Sequence, residues 1–150
     1  MSKPQSEMSA RELALDAMRR FAGEVHGGRY FVKRGWIHWG TFPFDAHWRG
    51  FSIQVDRAPF VVEPGAPGEM EITFELAASM PEGEEPGFDD GVQEEMIEDA
   101  RWVVERAAAD QYNGDTMFAL LRGSRTVAEE FHDASDRVQG VVASFRIKYH

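Results

Sequence analysis

The sequence predicts an α+β fold: an antiparallel β-sheet with two main helices packed on one face, in the order α-β-β-β-α-β-β. Three observations predict it. Residues 140–150 alternate Val141, Ala143, Phe145, Ile147 and Tyr149 against Ser144, Arg146, Lys148 and His150, the period of a half-buried strand. Two central segments alternate in the same way. Two other stretches repeat apolar residues at helical spacing, each with a single apolar stripe.

The elements follow in order. Residues 1–8 are polar and form a flexible N-terminus, and 9–150 form one α+β domain. Ser9 and Glu12 make an S-x-x-E capping box. Leu13, Ala14, Ala17, Met18, Phe21, Ala22 and Val25 then give an amphipathic first helix, ended by Gly27 and Gly28. An aromatic-rich stretch reads as a hairpin plus loop, with strands at Tyr30–Val32 and Trp36–Trp39 between Gly35 and Gly40. Phe51, Ile53 and Val55 alternate with Ser52, Gln54 and Asp56. Met70, Ile72, Phe74 and Leu76 alternate with Glu71, Thr73 and Glu75. Each segment has one apolar and one wet face, as an antiparallel sheet requires. Between them a Phe60-Val61-Val62 run precedes a turn at 64–68.

Residues 81–90, PEGEEPGFDD, carry no periodicity and read as a mobile acidic loop. The second helix spans roughly Asp90 to Asp110, with Val92, Met96, Ile97, Ala100, Val103, Val104 and Ala107 as its core stripe. Glu94, Glu95, Glu98 and Asp99 crowd its first half, where the helix dipole favours negative charge. After a turn at 113–115, Met117–Leu121 is a helical turn or a strand. Thr126–His132 is a strand, and 134–136 turns the chain into the closing strand. A strand at the chain's end must be paired, so it belongs to the core or to a joint with another subunit.

Composition narrows the function. The chain of 150 residues is long enough to bury roughly 70% of its unfolded surface. With no cysteine, disulfides, thiolate metal sites and cysteine nucleophiles are excluded. Nothing demands an oxidising compartment, and neither a signal peptide nor a membrane span is expected. Lys and Arg number 16 against 26 Asp and Glu, a net charge of −10 that disfavours gripping nucleic acid.

No sequence motif for chemistry is present, so no catalytic, cofactor-binding or metal-binding residue is expected, and the protein is not expected to be an enzyme. His38 and His47, with Asp45 between them, match no zinc spacing, and His26, His132 and His150 lie far apart in sequence. Glu82, Glu84, Glu85, Asp89 and Asp90 lack the calcium-loop pattern. No G-x-S-x-G elbow, dinucleotide fingerprint or phosphate loop occurs. Trp36, Trp39, Phe42, Phe44 and Trp48, with Lys33, Arg34 and Arg49 among them, have the ingredients of a base-stacking surface. In so acidic a chain they read better as core packing or a protein interface.

Three segments carry a family resemblance: ARELALDAMRRF near the start, GEMEITFELA in the middle and DRVQGVVASFRIKYH at the end. With their order of helix, antiparallel strands, helix and closing strand, they resemble the tail terminator proteins of long-tailed bacteriophages, grouped with minor tail and tail-completion proteins. Phe145, Ile147 and Tyr149 match the family's closing pattern. The resemblance implies a virion protein, assembled in the host cytoplasm, that forms a ring, usually a hexamer, on the head-proximal end of the tail tube. Such a ring stops tube polymerisation and presents a surface to the head-completion or stopper protein, and DNA passes through without being read. It implies neither cofactor nor membrane. The aromatic segment 30–48 is heavier than the family's pattern and is expected to mark an interface, with Trp36, Trp39, Phe42, Phe44 and Trp48 as anchors. The loop residues Glu84 and Glu85 and the outward row Arg146, Lys148 and His150 are further interface candidates. Another head–tail connector is the alternative. A ligand-binding domain or enzyme with a pocket lined by Trp36, Trp39 and Trp48 is a third possibility.

Overall fold

The two longest alternating segments find each other. In a computed structural model, which describes residues 10–55, 68–80, 89–110, 118–120, 129–133 and 137–149, β3 (Gly68–Ser79) and β6 (Val138–Tyr149) pair antiparallel along their full length. The other elements are α1 (Ala10–Glu24), β1 (Tyr30–Arg34), β2 (Arg49–Val55), α2 (Asp90–Asp110), β4 (Phe118–Leu120) and β5 (Glu129–Asp133). The six strands form one sheet in the order β1-β2-β3-β6-β4, with β5 also on β6.

The fold is α+β, with both helices against one face of the sheet, and α2 keeps its predicted bounds. The sheet is mixed, however, because β1 runs parallel to β2. A parallel pair forces the chain back to the starting end before the next strand begins. Residues 35–48 make that return, so 36–39 is not the second strand of a hairpin. It leads into a single 3-10 turn at Trp39–Thr41. The apolar run at 117–121 contains β4, which adds one strand to the predicted order. The capping serine, the run at 60–62, the turns at 113–115 and 134–136 and most of the acidic loop lie outside the described residues.

Alternation decides what each face holds. Phe51, Ile53, Ile72, Phe74, Leu76, Val141 and Ala143 point to the helices and are fully buried. The Phe51 and Phe74 rings stack at 5.2 Å. Leu15, Met18 and Phe21 of α1 and Met96, Ala100 and Val103 of α2 complete this core. The Asp89 carboxylate caps α2 by accepting from the N–H groups of Gly91 and Val92, at 3.0 and 3.2 Å. Buried Gln139 of β6 exchanges two hydrogen bonds with the Asp89 backbone, and Gln93 donates to the Gly140 carbonyl. These amide contacts fix the start of α2 against the middle of the sheet.

The opposite face is built differently. Phe31, Gly50, Ala77, Gly140 and Phe131 follow one another across the five strands that carry them. The Trp39 ring lies over Gly50 and the Phe131 ring over Gly140, so a Cβ at either glycine would collide with a ring. Gly140→Val is therefore expected to cost about 1–3 kcal/mol by overpacking. Urea unfolding should show this as a lower midpoint at unchanged slope, while Val142→Thr, half-buried on the same face, should cost less.

Candidate functional site

Two places in the fold gather unusual side chains: a polar knot on the helix face and the aromatic return segment on the other. The knot begins where α1 ends. A turn at Val25–Gly28 follows the helix, and His26 within it takes φ 52° and ψ 39°, left-handed values that side-chain-bearing residues rarely adopt. This conformation turns the imidazole toward α2. Its Nε2 lies 3.4 Å from Glu95 Oε1, and its Nδ1 lies 3.4 Å from the Asp99 carboxylate. Glu95 and Asp99 are four residues apart and share a helix face.

The sheet supplies the rest. The Tyr30 hydroxyl donates to Asp99 Oδ2 at 2.7 Å, and Arg49 Nη1 donates to Glu95 Oε1 at 2.8 Å. The Trp48 ring packs 4.6 Å from His26, and the Arg29 and Arg49 guanidinium carbons lie 4.0 and 3.9 Å from its centre. These are cation–π distances. Burial, reinforced by the Asp99 acceptor, pushes the Tyr30 hydroxyl well above the ordinary tyrosine range.

His26, Glu95 and Asp99 bring three ligand atoms within 4.8 Å of one another, a donor set of the kind that holds a divalent cation. Arg49 already balances Glu95, and Tyr30 already donates to Asp99. In this geometry the cluster locks α2 and the end of α1 to the first two strands. Beside it a cavity of about 290 Å³ is lined by Val25, His26, Glu98, Asp99, Trp102 and Glu105, among others.

On the other face, Trp39, Phe42 and Phe44 form one half-buried cluster, with Trp39 and Phe44 stacked at 6.3 Å and Phe42 edge-on to Phe44 at 4.7 Å. Trp39 Nε1 donates to Glu75 at 3.0 Å. Phe31 joins through Phe42 and His47. These rings pack on their own sheet. Trp36 does not: it is 71% exposed. Since Trp48 belongs to the knot and Trp39 to the opposite face, Trp36, Trp39 and Trp48 line no common pocket.

The basic row of the closing strand also has a place. Arg146 and Lys148 sit at register positions opposite Glu71 and Glu69 of β3, so acidic neighbours lie within the same chain. β6 is an interior strand, with β3 along one edge and β4 and β5 along the other, rather than a joint between subunits. Glu84, Glu85 and His150 lie outside the described residues.

Sequence reasoning leaves out the knot. Glu95 and Asp99 were legible as two carboxylates one turn apart, but His26 stands 73 residues from Asp99 and only the fold unites them. Comparison with models of known protein families returns no match, and comparison with curated proteins returns none.

Tyr30 gives the knot a pH signature. The folded state holds its proton while the unfolded chain releases it near the ordinary value of 10.0. Its contribution is therefore intact below that pH and declines as pH rises above it toward the folded value. Absorbance titration should show one tyrosine that ionises only as the protein unfolds in alkali. Tyr30→Phe should abolish that late step.

Proposed function

We propose that the protein is a ring-forming structural protein of the phage neck, a tail terminator. In this reading it caps the head-proximal end of the tail tube, stops tube polymerisation and offers the head-attachment surface. Its partners are further copies of itself, the tail tube protein and a head-completion or stopper protein, and its place is the virion. The observation that carries the reading is where the resembling segments fall. ARELALDAMRRF is α1 from its first residue into its last turn, GEMEITFELA is most of β3, and DRVQGVVASFRIKYH runs through β6. The resemblance thus rests on the helix and the two central strands that make the core, rather than on scattered surface residues.

Two further features support it. At one margin of the sheet, β1 pairs with β2 alone among the described residues, and beside it Phe31 is 40% and Trp36 71% exposed. Large exposed apolar side chains beside a strand edge suit a subunit contact. The net charge of −10 suits a channel through which DNA slides without being held. No helix among the described residues is long and apolar enough to cross a membrane.

The test combines imaging with a capping assay. Negative-stain images of the purified protein, alone or mixed with tail tubes, should show rings with an open centre. Tubes polymerised in its presence should stop at a defined length. A protein that stays monomeric at high concentration and decorates no tube would overturn the reading. Rings that leave tube growth unlimited would move the protein to another neck connector.

A further inference from the structure

Three strands have a single partner each among the described residues, β1 on β2 and both β4 and β5 on β6, and of these β1 and β5 are the longer two. Both are five residues long and they occupy opposite margins of the sheet. Their charges are opposite. Arg29, Lys33 and Arg34 are exposed at the β1 margin, whereas β5 reads Glu129-Glu130-Phe131-His132-Asp133, with Glu130 and Asp133 exposed. Free strand edges are templates for pairing and carry a risk of open-ended association.

We infer that β1 of one copy joins β5 of the next, edge to edge and antiparallel, so that the sheet continues from subunit to subunit. This rests on the ring reading above and names the surface that closes the ring. Direction follows from the ladders. β1 and β2 are parallel, and each later step to β3, β6 and β5 is antiparallel, so β5 runs against β1. A neighbour related by rotation about an axis along the strands therefore presents an antiparallel edge.

Register points the same way. Followed across the sheet, Phe31 is in line with Phe131, and Lys33 is in line with Glu129 through Ser52, Glu75 and Val142. Carried unstaggered across the joint, this register sets Phe31 opposite Phe131 and Lys33 opposite Glu129. An aromatic pair beside an opposite-charge pair is a favourable cross-strand set. A slip of two residues either way puts Phe31 opposite a carboxylate, and a slip of one turns the aromatic rings to different faces. A two-fold β1–β1 joint would bring together two copies of a strand that carries Lys33 and Arg34 and no carboxylate. The β1–β5 joint uses two different patches per subunit, as a head-to-tail ring requires.

The chain has no cysteine, so a Lys33→Cys/Glu129→Cys variant carries only the two introduced thiols. Within one copy these positions are four strand steps apart, roughly 19 Å at about 4.8 Å per step, too far for a disulfide. Mild oxidation of the full chain should give a non-reducing ladder ending at the ring size, with each single-cysteine variant giving none. Lys33→Glu should reduce the assembled fraction in light scattering after chromatography, and Lys33→Glu/Glu129→Lys should restore it. Dimers of the Lys33→Cys single variant would show a two-fold joint and overturn the inference. So would rings that form in stain with no cross-link and no response to charge reversal, and there the ring reading survives. With neither rings nor cross-links, both fall.

Discussion

The ladder between β3 and β6 runs from Gly68 opposite Tyr149 to Ser79 opposite Val138. It joins the middle of the chain to its end, and the other strands attach to it directly or one step removed. β2 lies along the free side of β3, and β4 and β5 lie along the free side of β6. Ile72, Phe74 and Leu76 from one strand and Val141 and Ala143 from the other form the floor on which both helices rest. Such long-range pairing must be bought with loop-closure entropy before it returns anything. Once formed, it makes β6 as interior a strand as β3.

A second constraint follows from direction. Because β1 and β2 are parallel, the chain must cross the sheet between them, and it does so without an α-helix. A crossover helix would bring an apolar stripe to cover that face. Here Trp39, Phe42 and Phe44 do the covering, and Gly50 gives up its side chain so that the Trp39 ring can reach the strand. The return ends at Trp48 on the helix face, inside the knot of His26, Tyr30, Arg49, Glu95 and Asp99. One segment thus serves both faces, which explains an aromatic density beyond what a simple loop needs. The knot resists shear between layers, since Arg49 is buried and removing Glu95 would leave its charge uncompensated.

These two constraints also determine what remains at the margins. The interior ladders use up most of the apolar faces, and among the edge strands β1 ends in Lys33 and Arg34 while β5 is acidic. Within an acidic chain the β1 margin is locally basic, so any self-association through it has a built-in polarity. The apolar side chains beside that margin, Phe31 and Trp36, lie next to charge, an arrangement closer to an interface rim than to an unfinished core.

The amino-acid sequence by itself determined α1, α2, β2, β3 and β6, because each is long enough to display its own period and local periodicity needs no partner. It also made the α+β class plain. The parallel pairing of β1 was not legible: short aromatic runs punctuated by glycine look alike in a hairpin strand and in a loop that packs on a sheet. β4 is too short to show a period that sets a strand apart from a helical turn, whereas the strand read at 126–132 returns as β5 at Glu129–Asp133. Nor did the sequence place the outward residues of β6, since alternation says which residues share a face but not which strand lies beside them. Only the tertiary structure decided that Arg146 lies opposite Glu71, that Trp39 and Trp48 part to opposite faces, and that His26 meets Asp99 across 73 residues. Such meetings depend on the closure of the whole sheet, and no window of the chain contains that information.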